Sequence, residues 1–185
     1  MAEHGIQDFR AAKRKAAERF GITEEGALPS NAEVEASLVE YQRLFDGDRH
    51  NATLIAQRRT ALRAMRALSS FSPRLVGPVL NGTATAHSDV QLHLFADRPE
   101  AVALNLLDRG VGHDLGEHRL RLDADRYQNF PSVRFDLDEQ TIDATVFPID
   151  GIRQAPVSPV DGKPMRRADT TELEALLSAA GAPRV

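Results

Sequence analysis

The chain has 185 residues, no cysteine and a formal net charge of −4; its 42% hydrophobic and 27% charged residues are ordinary for a globular domain. The lack of cysteine excludes disulfides, thiolate metal centres and cysteine nucleophiles together. No apolar run approaches the roughly 20 residues that cross a bilayer, and residues 1–8 lack the basic and apolar regions of a secretory signal. A cytoplasmic location and no membrane partner are therefore expected.

Asp8 is placed to cap a first helix in which Phe9, Ala12, Ala16 and Phe20 recur at helical spacing, with Gly21 ending it. Ser30 and Glu33 form a capping-box pattern ahead of a stripe of Val34, Leu38, Tyr41, Leu44 and Phe45, closed by Gly47. A third helix over about 51–69 carries Leu54, Ile55, Leu62, Met65 and Leu68 on one face, and Arg59, Arg63 and Arg66 on another. These three helices read as an N-terminal bundle over residues 1–72.

Beyond Pro73 the period changes. Residues 75–80 read as a buried strand, with Gly77-Pro78 marking an edge or bulge. Residues 88–95 alternate, which sets Asp89, Gln91 and His93 on one face and Val90, Leu92 and Leu94 on the other. Pro99 opens a helix that Gly110 closes. Alternation over 118–122, 132–137 and 141–147 predicts three more strands, the last with Asp143 on its polar face. His113, Asp114, Glu117 and His118 fall in an expected loop, with no register to favour a zinc site. Residues 149–185 read as a proline-rich strap bearing Arg153, Lys163, Arg166 and Arg167, then a short helix capped by Asp169 and Glu172 and ended by Gly181. That strap can fold basic groups over a polyphosphate, or simply tie the last helix to the sheet.

Charge is distributed unevenly. Residues 49–88 contain six arginines and no acid, and lead directly into the strand that Asp89 opens. Arginine helix followed by acidic strand suits a metal-bound polyphosphate. Two carboxylates on neighbouring strands can share Mg²⁺, and the Gly82-Thr83 turn offers close backbone approach and a hydroxyl to a phosphate. The plainer alternative has Asp89 capping a strand, Asp143 paired with an arginine of the next strand, and the arginines solvated.

Gly82-Thr83, the strand Ser88-Asp89-Val90-Gln91-Leu92 and Asp143 within Ile142-Asp143-Ala144 resemble the core of the DNA polymerase beta-like nucleotidyltransferase superfamily. That core has a strand ending in Gly-Ser, a helical turn, a strand with two acids one residue apart, and a third acid on a later strand. The resemblance implies an α+β fold in which residues 73–148 form a small mixed sheet flanked by helices. It implies Asp89 and Asp143 as catalytic, Mg²⁺-holding acids, with Gln91 at the second acid's position. Gly82, Thr83 and Ser88 would contact the nucleotide, and Arg59, Arg63 and Arg66 would meet the triphosphate or acceptor. The activity implied is transfer of a nucleotidyl group from a nucleoside triphosphate to an RNA, protein or other acceptor. The alternative is a catalytically silent fold that binds a nucleotide, RNA or protein. Gln91 favours this alternative, because an amide supplies one oxygen and no charge. Only five residues separate Thr83 from Asp89, fewer than the family usually shows.

Overall fold

The computed structural model describes residues 9–20, 28–45, 47–123 and 125–180. Asp8, Gly21 and Gly181, expected as helix caps and stops, lie outside them. The described chain runs α1 (Phe9–Phe20), α2 (Asn31–Phe45), α3 (Gly47–Ala67), β1 (Arg74–Val76), α4 (Gly77–Asn81), β2 (Val90–Phe95), α5 (Glu100–Asp108), β3 (His113–Arg121), β4 (Tyr127–Leu137), β5 (Gln140–Phe147) and α6 (Thr170–Ala180). The fold is α+β. Its mixed sheet has the order β1-β2-β5-β4-β3, with β2 and β5 parallel and every other pair antiparallel.

The expected capping boxes form. Ser30 Oγ accepts from Glu33 N at 3.2 Å while Glu33 Oε2 accepts from Ser30 N at 2.7 Å. Asp169 and Glu172 repeat the exchange at 3.0 and 3.1 Å. Each reciprocal pair satisfies amides that a helix start leaves without partners.

One face of the sheet carries the main core. Val90, Leu92 and Leu94 of β2 and Ile142, Ala144 and Val146 of β5 pack with Val102 of α5 and Leu173 of α6. Leu54, Ala61, Ala64, Met65 and Leu68 of α3 belong to the same cluster. The helix expected to complete an N-terminal bundle thus lies on the sheet, and the core runs across residue 72. Sheet burial offers α3 more apolar partners than the short stripe of α2 does.

Three local expectations are corrected. The strand expected over 75–80 stops at Val76, because Gly77 takes a left-handed φ of +68° and Pro78 sits in the first turn of α4. The third helix, expected from about residue 51, begins at Gly47, while α2 ends at Phe45, ahead of that glycine as expected. His113–Glu117, expected as loop, form the first half of β3. That half alternates poorly because β3 is an edge strand with most of its residues exposed.

On the opposite face, Phe95, Phe130 and Phe147 form a second, small cluster with Leu120, Leu122 and Ile152. The strap lies over it. Val157 N donates to Arg121 O at the end of β3 (2.7 Å), and further on Leu75 and Ala168 exchange backbone bonds of 2.8 and 2.9 Å at β1. The strap therefore runs from one edge strand to the other.

Candidate functional site

The corner between α4 and β2 is built by α3. Gly82, with φ +85°, ends α4, and both Gly82 N and Thr83 N donate to Pro78 O. Arg58 reaches from α3 to donate to Val79 O and Leu80 O, each at 3.1 Å. His50 Nε2 donates to Gly82 O at 3.0 Å, and Gln57 Nε2 donates to Thr85 O at 2.8 Å. Ser88 Oγ accepts from Thr85 N at 2.9 Å, and Ser88 O accepts from Gln140 Nε2 at 2.9 Å. The turn that the sequence marked by its glycine is thus pinned by side chains from α3 and β5.

From this corner the polar row crosses the sheet. Val90 is in register with Ile142 and Gln91 with Asp143, so Asp89, Gln91, His93, Asp143 and Thr145 share one face. Asp89 stands one residue before β2. Arg134 of β4, the register neighbour of Asp143, reaches over β5 and donates from Nη2 to Asp89 Oδ2 at 2.9 Å. His118 of β3 sets Nε2 3.3 Å from Asp143 Oδ2, and its Nδ1 pairs with Thr145 Oγ1 at 2.9 Å. The hydrogen bond to Asp143 holds the imidazole pKa above its ordinary value, against the pull of burial.

Farther along, His93 is 3% exposed and accepts at Nδ1 from Arg167 Nε at 3.0 Å. Burial, then the Arg167 charge, pushes its pKa down to about 3, so it stands neutral. The Arg167 guanidinium lies 5.0 Å over the Phe95 ring and 5.1 Å over Phe147, and Nη1 donates to Gly151 O and Ile152 O. His93 is therefore an anchor for the strap.

A cleft of about 1230 Å³ opens beside the row. One wall is α2, with Ala32, Glu35, Ala36 and Val39; the floor is Gly77, Pro78, Thr83, Thr85, Ser88 and Gln91. The strap closes it with Ser158, Lys163, Met165 and Arg166, and Lys13 of α1 stands at its rim. Asn31 Nδ2 donates to Pro159 O at 2.6 Å and ties α2 to the strap across the cleft. Burial raises the pKa of Glu35 on this wall, opposed by a hydrogen bond with Asn81. Apolar walls with a few polar groups and basic residues on a stiff loop match what a ligand with a flat ring and an anionic tail requires.

Of the residues singled out by sequence, Thr83, Ser88 and Gln91 line this cleft, while Asp89 and Asp143 stand beside it on the sheet face. Gly82 acts through the end of α4. Arg59, Arg63 and Arg66 do not line the cleft. Arg63 pairs with Asp138 in the β4–β5 turn, and Arg66 with Glu174 of α6 at 2.8 Å. Arg134 and His118 were missed as site residues. The only sequence signal was the alternation that puts Arg134 on a polar face; nothing local announces which carboxylate it meets.

A pair of Mg²⁺ ions does not fit these donors. Asp89 is bonded to a guanidinium, Asp143 to an imidazole, and the Gln91 amide is packed against the backbone of Gly77. Among the described residues, no group of three or more histidines and acids is arranged to hold a metal ion. Hard cations need several convergent oxygen ligands with charge to spare, and the charge of both carboxylates is already committed.

Comparison with protein-family models, curated proteins and solved structures finds no match for this chain.

Proposed function

We propose that this chain is a nucleotide-binding protein on a nucleotidyltransferase-like core, with the transfer chemistry silent. The observation that carries the reading is the cleft itself. It is lined by residues of the 77–88 corner, by Gln91 of the polar row, and by Lys163 and Arg166 of the strap. The Ala32, Ala36 and Val39 wall suits a base, and the hydroxyls of Thr83, Thr85 and Ser88 with the two strap cations suit phosphates. Silence is supported by Gln91 at the second acid's position and by the occupied carboxylates of Asp89 and Asp143.

A second reading, active transfer to an RNA or protein acceptor, draws on one observation: Asp89 and Asp143 do share a sheet face on neighbouring strands. Titration calorimetry with ATP, GTP, CTP and UTP, alongside incubation with each α-labelled triphosphate, tests both. At least one triphosphate should bind, Lys163→Ala with Arg166→Ala should weaken it about tenfold or more, and no label should pass to protein or RNA. Binding by none of the four overturns the proposal, and label transfer moves the assignment to the second reading.

A further inference from the structure

The two edges of the sheet are finished differently. β1 is three residues long, and Ala168 of the strap pairs with Leu75 on its outer side. β3 is nine residues long and keeps an unbroken register with β4 from His113 to Arg121. Prolines and bulges keep an open edge from pairing with other strands; β3 has neither, and its charges are of both signs. Leu122 N donates to Arg126 O inside the β3–β4 hairpin, whereas Arg121 O points the other way and accepts from Val157 N. Backbone groups alternate in direction along a strand, so Asp114, Gly116, His118 and Leu120 face β4. His113, Leu115, Glu117 and Arg119 turn their N–H and C=O groups outward, where no backbone group of a described residue meets them. Pro131 agrees with this phase, since it has no N–H and stands opposite Glu117, on a rung without bonds.

We propose that β3 pairs antiparallel with β3 of a second copy of this chain, about a two-fold axis at Gly116, so that two five-stranded sheets become one. The four outward-facing residues are spaced symmetrically about Gly116. This register sets His113 opposite the partner's Arg119 and Leu115 opposite the partner's Glu117, and it engages every outward N–H and C=O. Between those rungs Asp114 stands opposite the partner's His118, an acid facing an imidazole on the closer, non-bonded pair. Registers centred on Glu117 or His118 run the partner strand to Arg121, whose outward carbonyl Val157 already occupies. The first of them also sets two glutamates face to face. A register centred on Leu115 leaves the outward groups of Arg119 without partners. Leu115 is 72% exposed and faces the side of its register neighbour Val133, the side of the main core. Leu104 and Leu107 of α5, which packs on β3, are exposed on that same side and add apolar area beside the joint.

Sedimentation of the full chain tests the joint, whatever the cleft binds. At about 100 μM a dimer should be the main species. Leu115→Pro removes one outward N–H from each copy and no bond to β4, so it should weaken the dimer about tenfold or more. Thermal unfolding checks that this variant is folded. The chain has no cysteine, so Gly116→Cys reads the register directly. Ser132→Ala accompanies it, because a Cβ at residue 116 would lie 3.1 Å from Ser132 Oγ. Two cysteines facing each other across the axis are within disulfide reach, and mild oxidation should yield a covalent dimer. Arg119→Cys, three residues from the axis, should give none. A wild-type monomer at that concentration, or a dimer that folded Leu115→Pro leaves as tight, overturns the inference. So does a covalent dimer that Arg119→Cys forms as readily as Gly116→Cys. Should Leu115→Pro fail to fold, the two cysteine variants decide alone.

Discussion

Arg58 of α3 ends on the last carbonyls of α4, donating to Val79 O and Leu80 O at 3.1 Å each. The residue is buried, and burial, then the nearby Arg166 charge, lowers its pKa. Its charge is answered by helix-end carbonyls, the negative end of a helix dipole. Arg58→Met keeps much of the stem and removes both bonds. Leaving buried carbonyls unsatisfied should cost about 2–4 kcal/mol in chemical denaturation. An unchanged midpoint would show that the corner stands without this support.

Gly77 tests the same corner from the other side. Its φ is +68°, and a methyl group there would run into the Gln91 amide. Gly77→Ala carries both a left-handed penalty and a clash, and should destabilise by about 1–3 kcal/mol. The double variant Gly77→Ala with Gln91→Ala should recover part of that loss, since it removes the clash and leaves the backbone strain. Equal melting temperatures for the single and double variants would assign the whole effect to the backbone.

His93 makes stability depend on pH. Its folded pKa of about 3 lies below the unfolded value near 6.5, so the unfolded chain binds the proton first. The neutral imidazole therefore contributes stability that is complete above about pH 6.5 and is lost as pH falls toward 3. At pH 5 the loss should be about 2 kcal/mol, from 1.36 kcal/mol per pH unit. His118 works in the opposite direction, because its raised folded pKa gives stability that is present at low pH and fades as pH rises through that value. The difference in urea midpoints between wild type and His93→Gln, followed from pH 7 to pH 5, isolates the first effect. A constant difference would refute it.

Arg167 fastens the strap through His93, two backbone carbonyls and two phenylalanine rings. Burial brings its pKa to about 10, so it remains charged at neutral pH. Arg167→Lys keeps the charge but loses the planar fork and the stacking. Limited proteolysis should then cut within residues 151–167 faster than in wild type, while the α3–sheet core resists. Equal cleavage rates would place the strap's hold elsewhere.

The exposed arginines of α3 make a contrast. Arg66 and Glu174 are both well exposed, and pairs of this kind contribute about 0–1 kcal/mol. Replacing Arg59, Arg63 and Arg66 together by glutamine should leave triphosphate affinity unchanged and stability nearly so. A loss of affinity would return these residues to the site.

The sequence carried the local features well where a short-range rule governs them. Both capping boxes, and the alternation of β2 and β5 that sets Asp89 and Asp143 each on a polar face, are of this kind. The expectation of a loop at His113–Glu117 failed because an edge strand gains its place from backbone pairing with β4, which side-chain alternation does not report. The strand expected to run on to Leu80 failed because a left-handed glycine and a proline can start a helix as readily as break a strand. In the candidate site, each acid was placed by its own strand period. Its counter-charge was not, since the ion pair of Arg134 with Asp89 depends on strand order, which no short stretch encodes.

The path of the strap has a consequence for how the chain is made. Leu75 lies in an edge strand, and its hydrogen bonds go to Ala168, which follows all five strands in the chain. During synthesis β1 emerges well before Ala168 and must wait for it. Until Arg167 and Ala168 leave the ribosome, the Phe95 and Phe147 rings lack their guanidinium cover and β1 lacks its second neighbour. Closing so long a loop is slow and adds little stability until its last contacts form. The sheet is therefore held short of its folded state until residue 168 has been made, and a product truncated before it is marked by an open sheet edge.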